Sequence, residues 1–233
     1  MAELEGKLLQ VIQRTPNVKS FRVEAPERAD FKAGQFLHVK LGEQKELRRY
    51  LSISNSPTEK GYIEFTKKIT ESNFSRMLDE ARPGQRIRIE YPLGAFTFGG
   101  EYGKIAFLSG GIGITPIRSI IKFVIDKNLG TDMVLIYANR TIQDIVFKED
   151  LDNMRGEYQK LKLAYVISQP EPQWTGEKGR INAGIIRGQI PDYAERRFYI
   201  CGPPAMVEAM KQIMLEELKL SKESIVQENF TGY

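Results

Sequence analysis

Gly110, Gly111 and Gly113, followed by Thr115 and Pro116, form the group of residues whose chemistry is most legible from type and spacing. In Gly-Gly-Ile-Gly-Ile-Thr-Pro the glycines carry no Cβ, so backbone N–H groups can approach an anion closely, and a helix that follows adds its own unpaired amides. That is chemistry for a phosphate or pyrophosphate. A second group, Arg49-Tyr50-Leu51-Ser52, sets a guanidinium and a hydroxyl on neighbouring strand positions, and arginine can grip a phosphate through two parallel hydrogen bonds. A third, Cys201-Gly202-Pro203-Pro204, closes an apolar run with a thiol that would sit at the carboxyl edge of a sheet. Each also has an ordinary reading: a glycine-rich connection, an edge strand with solvated arginines, and a cysteine buried for packing.

These groups need a scaffold, and the chain supplies two. Between Lys7 and about Phe98 short alternating segments at 8–12, 20–23, 36–41, 62–66 and 86–90 are separated by turn residues, the pattern of an antiparallel barrel. One helical insertion, 75–81, ends at Arg82-Pro83-Gly84. After Gly99-Gly100 strand and helix alternate: strands at 105–108, 133–137, 163–167 and 198–201, and helices at 117–125, 147–154 and 205–218. Ile117, Ile120, Ile121, Val124 and Ile125 keep helical spacing, and Pro116 suits the first helical position. The expected architecture has two domains, an antiparallel β-barrel over residues 1–100 and an α/β parallel-sheet domain over 101–233, joined near Gly99-Gly100.

Composition narrows the classes. The chain has 233 residues, 41% hydrophobic and 27% charged, with 34 basic against 30 acidic side chains and a net charge of +4. That mixed surface lacks the concentrated basic block of a nucleic-acid binder, while its mild basic bias suits an acidic protein partner. A single cysteine and a single histidine exclude an internal disulfide and a Cys/His zinc or iron–sulfur cage, so no metal site is expected. The first residues lack the basic and apolar regions of a secretory signal and no apolar run approaches a membrane span, which leads to the expectation of a cytoplasmic protein.

The glycine spacing differs from the common G-x-G-x-x-G dinucleotide fingerprint. Taken with Tyr199-Ile-Cys-Gly-Pro-Pro204 and Arg49-Tyr-Leu-Ser52, Gly110–Pro116 resembles instead the ferredoxin-NAD(P) reductase family of flavoenzymes, over essentially the whole chain and with the motifs in the family's order. The resemblance implies a flavin-binding barrel followed by an NAD(P)-binding domain. In the barrel, Arg49, Tyr50, Leu51 and Ser52 would line the flavin, Arg49 on its phosphate and Ser52 beside N5. The family's tyrosine falls on Leu51 in this register; pairing Arg48 with Tyr50 is the other register, which adds a residue before Pro57. Ser72, Phe74 and Ser75 open the small helix, where its first amides and the Ser75 hydroxyl would take a second phosphate or Ser72 would act as an N-cap. Pro92-Leu-Gly-Ala-Phe96 resembles the turn that closes the barrel, and His38, with no carboxylate neighbour in sequence, reads as structural.

In the second domain the resemblance puts Gly110, Gly111, Gly113 and Thr115 on nucleotide phosphate and Arg140 on cofactor phosphate or ribose. Cys201, Gly202 and Pro203 would lie beside nicotinamide C4. Glu228 would stand near the transferring atoms, Phe230 over the flavin face, and Tyr233 over flavin or adenine; Ser52, Cys201 and Glu228 form the expected catalytic set. Ser168-Gln169 carries no cation where NADP-selective members usually have one, which favours NADH over NADPH. The implied activity is an NAD(P)H-dependent flavoprotein reductase that passes hydride to bound FAD, preferred over FMN, and then single electrons to a ferredoxin, a flavodoxin or an oxygenase component. A free-flavin reductase is the alternative.

Overall fold

The structure is a computed structural model and describes residues 2–230. Tyr233 lies outside the described residues. The first half is built from β1 (Ala2–Thr15), β2 (Val18–Glu24), β3 (Phe36–Lys40), β4 (Arg48–Ser52), β5 (Tyr62–Lys68) and β6 (Arg86–Leu93), with α1 (Asn73–Glu80) inserted before β6. The strands form one antiparallel sheet in the order β4-β3-β6-β1-β2-β5. β1 is long enough to serve two partners, β6 along Ala2 to Lys7 and β2 along Leu8 to Thr15. Gly6 permits the corner between them, because a Cβ there would stand 2.3 Å from the Glu24 carbonyl oxygen.

The sheet curls until its two end strands meet, and among the described residues an isolated bridge, Ile53 to Phe65, links them just past β4. Residues of β4 therefore face β5 across a slot instead of a ladder. Alternate side chains fill the barrel: Phe21 stacks on Phe65 at 5.3 Å, with Leu37, Val39, Ile63, Ile87 and Ile89 around them. Phe74 and Leu78 of α1, both fully buried, plug one end.

The second half holds β7 (Lys104–Gly110), α2 (Ile114–Asp126), β8 (Asp132–Asn139), α3 (Lys148–Glu157), β9 (Leu161–Ile167), β10 (Glu177–Lys178), α4 (Ala183–Gln189), β11 (Arg197–Gly202), α5 (Pro204–Gln212) and β12 (Ile225–Asn229). All neighbouring pairs in the order β10-β9-β8-β7-β11-β12 are parallel. β7 is buried on both faces, which is why it reads as an unbroken apolar run: Ile105 and Phe107 join α2 and α3, while Ala106 and Leu108 join α4 and α5.

Three expectations shift. Helix α2 opens at Ile114, after a 3₁₀ turn at Gly111–Gly113, so Pro116 is its third residue; its missing N–H is still one of the first-turn amides that have no intrahelical partner. The sheet has six strands where four were read, because β10 is two residues long and β12 is largely polar, both at edges with one neighbour. The single helix read over 205–218 is α5 followed by a π-helical turn at Ile213–Glu217.

Candidate flavin and nucleotide cleft

The slot between β4 and β5 opens into a cavity of about 340 Å³. Arg48, Arg49, Tyr50, Leu51 and Ser52 line one side, Thr66, Lys67 and Lys68 the other, and Ile112 and Thr115 of the glycine loop close it together with Glu228, Asn229 and Phe230. Sequence distance between these groups is large; the fold of both sheets brings them to one place.

Strand alternation decides what each β4 residue can do. Arg49 points toward α1, its guanidinium 5.6 Å from the Phe74 ring centre and its Nη1 donating to the Arg48 carbonyl at 2.7 Å. Leu51 leans on the barrel core. Tyr50 turns outward, 66% exposed, and stacks on His38 at 4.5 Å. Ser52 is buried, and its Oγ has no hydrogen-bond partner among the described residues. A buried hydroxyl without a partner is unfavourable unless something polar enters the cleft beside it.

Lys67 was not among the candidates, though a lysine pair on the strand facing Arg49 was the available signal. It is 6% exposed, and burial, followed by the nearby charges of Arg49 and Lys68, pulls its pKa down to about 8. Its Nζ donates to the Lys68 carbonyl at 2.6 Å. A cation this desolvated calls for an anion.

Ser72, Phe74 and Ser75 do not reach the cleft wall. Ser72 is the N-cap of α1, its Oγ accepting from the Ser75 amide at 3.3 Å; the Ser75 hydroxyl is buried against Ser72 and Thr70, and Phe74 lies in the barrel core. The N-cap reading of Ser72 is the one seen, and the Ser75 hydroxyl, the candidate phosphate ligand, lies beside it.

The glycines of the loop divide by role. A Cβ on Gly110 would meet Met206 Sδ at 2.3 Å, and one on Gly113 would meet the Cys201 carbonyl oxygen at 2.3 Å. Gly111, at φ +53°, has open space where its Cβ would be, so there it is the backbone conformation, not a neighbour, that calls for glycine. Tyr137, missed from sequence because it reads as a strand core residue, donates its hydroxyl to the Gly111 carbonyl at 2.7 Å and fixes the turn. Thr115 donates to the Ile112 carbonyl at 3.0 Å and lines the cleft.

Register across β8, β7, β11 and β12 sets Tyr137, Ser109, Cys201 and Glu228 side by side. Cys201 is fully buried, and burial, with the Glu228 charge second, raises its thiol well above the usual range, so it is held neutral. Burial also lifts the Glu228 carboxyl to about 7, and its Oε2 has no partner among the described residues. Gly202 packs against Gly110, Pro203 caps α5, and the Phe230 amide donates to the Gly202 carbonyl at 3.2 Å. Arg140 stands apart from the cleft, exposed at the end of β8, its Nε donating to Gln169 Oε1 at 2.8 Å. His38 has the carboxylate partner the sequence did not reveal: it faces Glu90 across β3 and β6, Nδ1 to Oε2 2.9 Å, a pairing that exists only in register. Lys40 and then His38 hold Glu90 below its ordinary range.

The cleft thus fits a flavin nucleotide by its own features: a partnerless serine hydroxyl, a desolvated lysine, and Ile112 and Thr115 of the glycine loop on the far side. One antiparallel and one parallel sheet share this cleft, an arrangement that suits a nucleotide-dependent oxidoreductase. Family profiles agree, with the oxidoreductase FAD-binding domain matching residues 5–98 and the oxidoreductase NAD-binding domain residues 107–212. The chain is 34% identical over 227 residues to NADH-cytochrome b5 reductase 1 of Ajellomyces capsulatus, covering 90% of this chain and 72% of the relative. It is 30% identical over 216 residues to the glycine betaine monooxygenase reductase subunit of Pseudomonas aeruginosa, covering 89% of this chain but 59% of that protein. Among solved structures, the ferredoxin reductase of carbazole 1,9a-dioxygenase superposes with a TM-score of 0.85 at 25% identity, covering 99% of this chain and 70% of the other. The cytochrome b5 reductase domain of Ulva prolifera nitrate reductase shares the fold at a TM-score of 0.86 and 20% identity, covering 97% of each chain. The chain belongs to the ferredoxin reductase-like family of oxidoreductases. It spans about six-tenths of the length of the monooxygenase reductase subunits it matches.

Proposed function

We propose that the protein takes hydride from NADH onto FAD held in the β4–β5 cleft and passes electrons singly to a protein acceptor, an oxygenase component or a small electron carrier. The observation that carries this is the shared wall: Ser52 on one side, and Ile112, Thr115 and Glu228 to Phe230 on the other, bound a single cavity. Bound FAD would supply the chemistry that joins a two-electron donor to a one-electron acceptor. The chain's part is binding and geometry.

Arg49, Lys67 and Lys68 would neutralise flavin phosphate. Ser52 would place its unpaired hydroxyl at the edge that receives hydride. The nucleotide would lie along the Gly111 turn with its nicotinamide against the row of Ser109, Cys201 and Glu228. A neutral thiol there packs without attacking, and the Glu228 carboxyl, poised near pH 7, can hold or release one proton beside the reacting edge. The barrel over 1–100 and the α/β half over 101–233 are the two working domains. Support for an oxygenase partner is the similarity to a monooxygenase reductase subunit and to a dioxygenase ferredoxin reductase.

Gel filtration of the protein loaded with FAD tests the bound-cofactor reading. Flavin absorbance should co-elute with the protein at near one equivalent. Flavin that separates on the column while NADH oxidation continues with added flavin would instead make it a free-flavin reductase.

A further inference from the structure

The two halves are joined behind the cleft by a buried polar clamp. Arg118 lies one helical turn beyond Thr115 on α2 and is 6% exposed. Its Nη1 and Nη2 grip the two carboxylate oxygens of Glu59, the second at 3.2 Å, and Nη1 also reaches the Ser54 carbonyl at 3.3 Å. Asp150 of α3 stands 3.4 Å from Nη2. The next residue, Ser119, donates to the Asn55 carbonyl at 2.7 Å. Ser54, Asn55 and Ser56 are fully buried, and they begin two residues after Ser52. Inside the barrel half the segment is held in turn: Glu59 accepts the Ser56 amide at 2.7 Å, Asn55 Oδ1 accepts the Glu64 amide at 2.8 Å, and the Ser54 hydroxyl donates to Glu64 at 2.8 Å.

Buried ion pairs are weak devices for stability, since an apolar contact of similar volume does as well. A planar guanidinium bound at both ends to one carboxylate, however, fixes distance and orientation together. Here the plane links the helix that carries the nucleotide turn to the segment that carries Ser52. The geometry points to Arg118, with Glu59 as its counterpart, as a positioning residue that sets the separation between the nicotinamide and flavin edges of the cleft. This inference rests on the hydride-transfer reading above. Neither side chain lines the cavity, so each acts through Thr115 and Ser52.

The test uses the FAD-loaded protein with Arg118→Met, Glu59→Gln and Tyr199→Phe. Tyr199→Phe removes a different bond between the halves, from its hydroxyl to the Thr97 carbonyl at 3.1 Å, and serves as the control for a merely looser interface. Arg118→Met should keep its flavin yet slow anaerobic flavin reduction at saturating NADH by roughly tenfold to a hundredfold, the scale of an ångström-sized misplacement. Glu59→Gln keeps the volume and one acceptor oxygen but turns an amide donor toward the guanidinium in place of the other; it should also slow reduction and carries the test if Arg118→Met does not fold. Tyr199→Phe should lower the melting temperature without slowing reduction. In flavin-free protein, amide exchange at residues 54–59 should speed up in Arg118→Met and not in Tyr199→Phe. Wild-type reduction rates in both clamp variants, or equal slowing by Tyr199→Phe, would overturn the inference. Failure of the wild type to take up flavin would overturn the proposed function instead, and the exchange measurement would still show whether Arg118 holds the segment.

Discussion

Lys67 and Glu228 meet the same cleft under one penalty that shifts them in opposite directions. Burial makes the charged form of each unfavourable, lowering the lysine to about 8 and raising the carboxyl to about 7. No bond between the two is found among the described residues: the lysine donates to a backbone carbonyl and Glu228 Oε2 has no partner. The cleft therefore has a cationic half suited to phosphate and an acid half suited to the reacting rings. Arg49→Ala should weaken flavin retention, since loss of a charge-assisted contact removes about 1.5–3 kcal/mol, roughly tenfold to a hundredfold in affinity; unchanged affinity in a folded variant would remove Arg49 from the site. For Glu228 the sign follows from linkage. Between the ordinary carboxyl value of 4.5 and about 7 the folded state holds a proton that the unfolded state has lost. Its contribution to folding is fully present below the lower value and is lost as pH rises through about 7. Glu228→Gln cannot ionise, so its melting temperature in the flavin-free protein should gain on the wild type between pH 5 and pH 8, by ~2–4 °C for each kcal/mol. A constant difference across that range would contradict the burial argument.

Elements place what residues alone cannot. The Gly110 to Gly113 turn was legible because glycine type and spacing are local, but two of its glycines turn out to answer to Met206 and Cys201, neighbours supplied by α5 and β11. Ser72 and Ser75 were equally visible, and of the two it is the Ser72 side chain that caps α1, by accepting from the Ser75 amide. The pairing of His38 with Glu90 and the row of Tyr137, Ser109, Cys201 and Glu228 needed strand register, which no single strand encodes. At the ends of β8 and β9, Gln169 supplies no charge and engages Arg140 through its carbonyl oxygen, with Glu171 of the same connection bonded to Gln143. A 2′-phosphate would bring about two negative charges that need cationic partners. The expected result is a higher kcat/KM for NADH than for NADPH, and Gln169→Arg should shift the ratio toward NADPH by about 1–3 kcal/mol. Steady-state kinetics with both coenzymes decide it; a wild-type preference for NADPH of tenfold, about 1.4 kcal/mol, would contradict the argument and point to Arg140, Lys178 or Arg180 as the phosphate site.

At the scale of the whole molecule, barrel and parallel sheet were both readable because each keeps its own period, alternation in one and strand then helix in the other. Their joint product was not. The cleft exists because the barrel closes by an isolated bridge at Ile53 and Phe65 and leaves β4 and β5 apart, and because β12, an edge strand of the other sheet, carries Glu228 to its mouth. Among the described residues no helix is long and apolar enough to cross a membrane. The central claim, that one chain holds flavin and nicotinamide against each other in this cleft, is tested most directly by mixing the FAD-loaded protein with NADH in the absence of oxygen and following flavin absorbance. The account predicts loss of the oxidised-flavin band in a single fast phase that saturates with NADH, before any acceptor is added. A protein that keeps its FAD oxidised under those conditions would contradict it.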